Sequence, residues 1–311
     1  MIALYDQKAS LVEDPGANRV TWVSMTNPSH TELAEVEGRY ELPLDFLTAA
    51  LDPEERARFE VEDNVMLILL RIPIRSEDLE DGVPYITRPL GIILAPHILV
   101  TICTRPNSIL DEVQNMRRVA ADPSDRIQFV LNIFDRATLK YLRFLKDLDL
   151  HSQEIEDRLR ANQKNTELLK LLNTEKSLVF FRTSLQTNQF MLERIKRTSF
   201  FRTASDEHLE LLEDVIIDNA QAIEMANIYT SILESTANTF ASVINNNLSR
   251  VMKGLTQITI ILMLPTLLAS IYGMNIHLPL EDDPNAFVYV SVGGLLLSLI
   301  GIMVFRINRN L

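Results

Sequence analysis

Two long stretches near the C-terminus contain no Asp, Glu, Lys or Arg: 27 residues between Lys253 and Glu281, and 22 between Asp283 and Arg306. A bilayer core needs about 20 apolar residues per helix. A soluble helix of that length ordinarily carries charge along one face. Two membrane spans are therefore predicted; the alternative is a hairpin buried in a large soluble assembly. Residues 254–311 hold only five of the 72 charged residues, namely Glu281, Asp282, Asp283, Arg306 and Arg309. The near-zero mean hydropathy, +0.05, thus averages over unlike parts. Arg250 and Lys253 precede the first stretch, Arg306 and Arg309 follow the second, and the loop between is acidic. The positive-inside rule then places both termini in the cytoplasm, on a multi-pass protein of the cytoplasmic (inner) membrane. The opening MIALYDQKAS has no basic region followed by an apolar run, so no signal peptide is expected.

Ahead of the first stretch lie roughly 250 residues that carry most of the charge. The chain has 30 Lys+Arg against 42 Asp+Glu, a net charge of −12. That balance argues against nucleic acid, whose phosphates need a basic face. One cysteine, Cys103, excludes an intrachain disulfide framework and a Cys-based zinc site, and an unpaired thiol suits a reducing compartment. Within residues 1–105, Ile2–Tyr5, Val20–Ser24, Val65–Pro73, Tyr85–Ala95 and Ile98–Cys103 read as strands. Helical patterns fall near His30–Glu37, Leu44–Leu51 and Pro53–Phe59. For the last of these, Asp52 serves as N-cap and Pro53 as first helical residue. The region reads as an α/β or α+β domain.

After Pro123 no proline occurs until Pro265, and no glycine lies between Gly91 and Gly254. Such a stretch predicts long helices, over about 124–170 and 175–199, with a break near Thr203–Asp206. Ser205 can cap a further helix. In it, Leu209, Leu212, Ile216, Ile223, Ala226, Leu233, Ala237, Phe240 and Ile244 recur at mostly three- and four-residue steps. Nothing interrupts it before the first span, so one helix is expected from Asp206 to about Ile271, roughly 100 Å at 1.5 Å per residue. A second seam holds Asn219, Asn227, Ser231, Asn238, Ser242, Asn245 and Ser249. It is either an ordinary solvated face or the lining of a wet channel that continues into the membrane.

Tyr272-Gly273-Met274-Asn275 closes the first span before the acidic loop. This Gly-Met-Asn, set between two C-terminal spans after a long cytoplasmic helix, resembles the CorA family of magnesium transporters. Met252-Lys253-Gly254-Leu255-Thr256 is similar to the family's start of the inner helix. The run from Asp52 to Glu60 resembles the family's segment entering a domain strand. The resemblance spans essentially the whole chain. It implies an α+β cytoplasmic domain, long α-helices and a two-helix transmembrane hairpin, assembled as a funnel-shaped homopentamer around one central pore. The expected divisions are an N-terminal α/β domain (1–123), long antiparallel helices (124–205) and a stalk helix continuing into the first span (206–271). An outer loop (272–285), the second span (286–305) and a cytoplasmic tail (306–311) follow.

The resemblance makes Tyr272, Gly273, Met274 and Asn275 the selectivity filter, and the chemistry agrees. Mg²⁺ gives up its water reluctantly, so a ring of Asn275 carbonyls can select the hydrated ion without dehydrating it. Gly273 would let the backbone turn tightly. The plainer reading of Asn275 is a helix C-cap. Inward along the helix, Met252, Leu255, Thr259, Met263, Thr266 and Ser270 repeat at three- and four-residue steps and share a face. The resemblance turns that face, with Ser249 at the inner mouth, toward the pore. Met252, Leu255 and Met263 would gate by dewetting, and Thr266 and Ser270 would form wet steps; packing against Val290–Val304 is the alternative for the apolar three. Gly293, Gly294 and Gly301 are expected to permit close helix approach. Glu281, Asp282 and Asp283 are either an acidic collar concentrating cations or a hydrophilic loop that sets topology.

By the same resemblance, cytoplasmic Mg²⁺ binds between subunits and holds the pore shut. Asp214 matches the family's helix carboxylate, with Glu213 and Asp218 close by. Its domain partner is open: Ala49 stands where the family has aspartate, and Asp45 or Asp52 could substitute. Other departures are a C-terminus reduced to Arg306 and Arg309, Pro265 one position late, and Ser249 in place of asparagine. The expected cargo is Mg²⁺, with Co²⁺ or Ni²⁺ as further candidates, and no organic cofactor. The competing readings are a Zn²⁺ or other divalent-cation transporter or exporter of the same family, and a non-conducting membrane scaffold. An enzyme is disfavoured, because the chain has no GxxxxGK[ST], G-x-S-x-G or HExxH motif.

Overall fold

The computed structural model describes residues 1–6, 11, 21–76, 82–116, 123, 125–162, 165–198, 200–201, 204–279 and 283–307. The chain divides into two compact units, Met1–Ala237 and Asn238–Leu311.

The first unit is built on six strands: β1 (Ile2–Tyr5), β2 (Trp22–Thr26), β3 (Arg58–Glu62), β4 (Val65–Arg75), β5 (Tyr85–Ala95) and β6 (Ile98–Cys103). Their spatial order is β1-β2-β6-β5-β4-β3, with β2 and β6 parallel and every other pair antiparallel. The inner strands are apolar almost without alternation because both sheet faces are covered. In β4, Leu67 and Leu69 face α1 (His30–Tyr40) and α2 (Leu44–Ala49), in a core with Leu33, Val36, Phe46 and Leu47. Ile68, Leu70 and Ile72 face the opposite way, into a core with Phe129, Phe134 and Leu192. That second layer contains α3 (Ser108–Gln114), α4 (Arg126–Asn162) and α5 (Asn165–Ile195). Leu212 and Val215, from the start of α6 (Asp206–Tyr272), join the same core. Gly91 marks the closest approach of sheet and helix, since a Cβ there would lie 2.8 Å from the Ala50 Cβ.

Two local expectations are corrected. Pro53–Phe59 is not a helix. Asp52 does accept from a backbone N–H, that of Glu54 at 2.9 Å, but the result is a turn. The chain then enters β3, whose Phe59 is buried opposite Ile68. A helix there would leave Phe59 exposed and the outer edge of β4 unpaired. The strand is what the resemblance of this segment implied. The break between the two long helices also falls earlier, between Asn162 and Asn165. The expected break at 170–175 lies inside α5, where Thr174 Oγ1 donates to the Lys170 carbonyl.

In α6 the apolar seam is buried at Leu212, Ala226, Leu233 and Phe240. Ser205 accepts from the His208 N–H at its start. The helix has 67 residues and includes Pro265. α7 (Ala286–Ile307) follows. The 22 residues of α7 and the C-terminal part of α6 are apolar and long enough to cross a membrane, with their apolar windows 6% and 0% buried.

Candidate functional site

The hairpin of the second unit fixes which side of α6 is covered. Gly294 is buried, and a Cβ on it would stand 3.1 Å from the Pro265 Cβ. A Cβ on Gly301 would meet Leu264 at 3.4 Å and Ile261 at 3.6 Å. The covered face is therefore Ile261, Leu264, Pro265 and Leu268. Gly293 meets nothing within 4 Å, so the close approach uses two of the three glycines named from sequence. Pro265 lacks an N–H and leaves the Ile261 carbonyl without its helical partner. Ser298 of α7 stands 3.4 Å from that oxygen and 3.1 Å from its own Gly294 carbonyl, bringing a hydroxyl donor to the gap.

Met252, Leu255, Thr259, Met263, Thr266 and Ser270 lie roughly 170° round the helix from the covered face. Met252 is 53% exposed, Leu255 57% and Met263 64%. Ser249, Thr259, Thr266 and Ser270 are exposed as well. The alternative of packing against Val290–Val304 fails within one chain, because α7 takes the other side. Thr259 and Thr266 donate to the Leu255 and Leu262 carbonyls and keep their oxygen lone pairs outward. One member of the longer polar seam is corrected. Asn219 is 1% exposed and donates to the Leu185 carbonyl and to Gln189 Oε1 on α5, so it joins helices and lines no wet face. Ser231, Asn238, Ser242, Asn245 and Ser249 remain exposed.

α6 ends at Tyr272. The Gly273 N–H still reaches the Ala269 and Ser270 carbonyls, and its backbone is outside the left-handed region, so a glycine is not needed here for a tight turn. Asn275 is exposed and likewise outside the left-handed region, which removes the simple C-cap reading. The Tyr272 hydroxyl donates to the Pro279 carbonyl at 3.1 Å and closes the loop over the motif. Asp283 accepts from the Asn285 N–H at 2.8 Å just before α7. Glu281, Asp282 and Arg309 lie outside the described residues.

In the first unit, Asp214 and Glu213 are exposed, and Glu213 is ion-paired with Lys196. Asp214 and Asp218 act on a residue the sequence reading missed, Asp135 of α4. Burial pushes its carboxyl above the usual aspartate range; Arg136 opposes this, while Asp218 and Asp214 add to it. An acid among the buried apolar positions of α4 was the only signal that could have found it. Asp45 and Asp52 are exposed on α2 and on the turn after it. Among the described residues, no group of three or more His, Cys, Asp or Glu is arranged to hold a metal ion.

The model of the family described as CorA-like Mg²⁺ transporter protein matches residues 17–308. The cobalt/magnesium transport protein CorA of Methanocaldococcus jannaschii is 28% identical over 296 residues, covering 93% of this chain and 90% of its own. The magnesium transport protein CorA of Helicobacter pylori is 23% identical over 266 residues, covering 83% and 80%. Among solved structures, the complete CorA magnesium transporter of M. jannaschii superimposes with a TM-score of 0.82 at 26% identity, covering 98% of this chain and 97% of that one. The full-length CmaX protein shares the fold at 13% identity, with a TM-score of 0.71 over 99% and 97% of the two chains.

Proposed function

The chain belongs to the CorA-like Mg²⁺ transporter family, and from that premise we propose that it conducts Mg²⁺ down its electrochemical gradient through a pore at the centre of a homopentamer in the cytoplasmic membrane. One observation carries this reading: α7 covers Ile261, Leu264, Pro265 and Leu268, while the uncharged row from Met252 to Ser270 stays free on the opposite side. A helix that packs its partner on one side and keeps small polar and flexible apolar groups on the other can line a shared axis. Charged groups there would trap a divalent ion; hydroxyls and thioethers let it leave.

In this reading five Asn275 side chains form the outer ring. Their carbonyls accept from the water shell of Mg²⁺, which keeps its octahedral hydration. Tyr272, Gly273 and Met274 support that ring. Met252, Leu255 and Met263 close the pore by excluding water, Thr266 and Ser270 form wet steps between Met263 and the filter, and Thr259 shares the same face. Ser249 marks the inner mouth. The membrane potential supplies ~2.3 kcal/mol per charge per 100 mV. Cytoplasmic Mg²⁺ between subunits restrains opening through Asp214, Asp218 and Glu213, with Asp45 or Asp52 of a neighbour as partner. Asp283, with Glu281 and Asp282, draws cations to the mouth.

The deciding experiment is Mg²⁺ flux into liposomes carrying the full-length protein and its Asn275→Ala variant. The variant should lose at least tenfold of the flux while still assembling; retained flux would sink the filter role. The name of the M. jannaschii relative couples cobalt with magnesium, so Co²⁺ belongs in the same assay as competing cargo.

A further inference from the structure

A cleft of about 490 Å³ opens in the first unit between β4, β5 and α5. Arg56, Arg71, Arg88 and Thr87 line it from the turn and strands, with Glu54 beside them, and α5 contributes the apolar Val179 and Phe180 next to the hydroxyls of Thr183, Ser184 and Thr187. Phe180 is 43% exposed, an aromatic surface with no core function.

The arginines differ in what holds them. Arg71 is a fixed platform: its Nη1 donates to the Pro53 and Glu55 carbonyls, and its Nη2 to the Thr87 carbonyl and hydroxyl. All four acceptors are neutral, so its charge is positioned and not cancelled. Among the described residues Arg88 beside it makes one long bond, 3.3 Å to the Thr87 carbonyl. Among the described residues neither arginine forms an ion pair with a carboxylate. Glu55, whose carbonyl accepts from Arg71, has its carboxylate engaged by Arg58. Among the described residues Glu54, which also lines the cleft, is the acid acting on Arg88, against Arg105 and Arg71. A partly buried guanidinium facing like charges is costly unless an anion completes it. The volume is that of a small-molecule site, and arginine forks fit phosphate oxygens in pairs.

We propose that this cleft binds a small phosphorylated metabolite with a planar body, a nucleotide by chemical class, its phosphates held by Arg88 and Arg56 over the Arg71 platform and its base laid against Phe180 and Val179. Arg71 acts as a positioning residue. Its bonds tie the turn after Asp52 to β5, and its backbone N–H and carbonyl are both held by the Asn188 side chain of α5. The two walls of the cleft are therefore fixed before any ligand arrives.

The test is isothermal titration of the full-length protein in detergent with ATP, AMP and inorganic phosphate, in metal-free buffer. ATP should bind saturably and more tightly than phosphate. Arg88→Gln should weaken ATP and phosphate alike by about tenfold, and so should the more exposed Arg56→Gln, which guards against a folding defect in the first. Phe180→Ala should weaken ATP and leave phosphate unchanged. Circular dichroism and gel filtration establish that each variant is folded and assembled. The proposal is overturned if neither ATP nor phosphate gives saturable heat, as expected if a second copy's carboxylates cover the arginines. Binding unchanged in both arginine variants, or ATP no tighter than phosphate, would overturn it as well.

Discussion

Asp135 shows how a single side chain couples the helical layer to pH. Its carboxyl is held above the usual range mainly by burial, and then by Asp218 and Asp214 across the gap to α6, against the pull of Arg136. The native state therefore keeps this proton to higher pH than the unfolded chain does. Stability falls as pH rises from the ordinary aspartate value, ~3.9, through the raised native one. Asp135→Asn removes that contribution, so as pH rises above the ordinary aspartate value the melting temperature of the variant should fall less, or rise more, than that of the parent. Equal slopes would mean that Asp135 titrates like an exposed aspartate. Residues of this kind were hard to read in advance. Asn219 belonged by spacing to a polar seam, yet it is buried and bridges to α5. Asp52 carried a helix-start signature, yet it opens a turn. In each case the local chemistry was read correctly and a tertiary neighbour decided its use.

Among the elements, the hairpin is where small residues matter most. Gly294 packs on Pro265 with almost no spare distance, whereas Gly293 faces open space. Gly294→Ala should lower the thermal stability of the detergent-solubilised protein, because overpacking at such contacts typically costs about 1–3 kcal/mol. Gly293→Ala should leave it unchanged or raise it slightly. Equal effects would contradict the packing. Ser298 belongs to the same contact, since it meets the carbonyl that Pro265 strands. The sequence pointed to close approach through its glycines, but it did not single out Ser298, because a lone serine in an apolar helix has no pattern around it. Strands β1, β4, β5 and β6 were legible because continuous β-branched and leucine-rich runs bounded by turns leave few alternatives. β3 was not, because its residues, Arg58-Phe59-Glu60-Val61-Glu62, become a strand only by pairing with β4.

For the whole molecule, the acidic charge and the apolar hairpin sit in different parts of the chain. The net charge of −12 lies almost wholly ahead of residue 254. In the proposed pentamer five copies would carry a net charge of about −60, a field that would raise the local concentration of divalent cations. In that assembly Leu255, 57% exposed in one chain, sits on the row proposed as the constriction. Leu255→Asn should wet it, so liposomes with the variant should leak Mg²⁺ even when cytoplasmic Mg²⁺ is high. Flux identical to the parent, in a variant that still assembles, would remove Leu255 from the gate.

The sequence by itself determined the order of parts: an α+β domain, helices without proline or glycine, and two uncharged segments flanked by basic residues. It also displayed the Gly-Met-Asn signature. These follow from period, composition and charge, which act along the chain and need no partner. The tertiary structure alone decided which face of α6 meets α7, which glycines are in contact, and that Asp135 answers to Asp214 and Asp218. It also decided that four arginine bonds to neutral oxygens leave a cationic cleft beside α5. Those are distances between residues remote in sequence, set by how whole faces pack, and no local pattern encodes them.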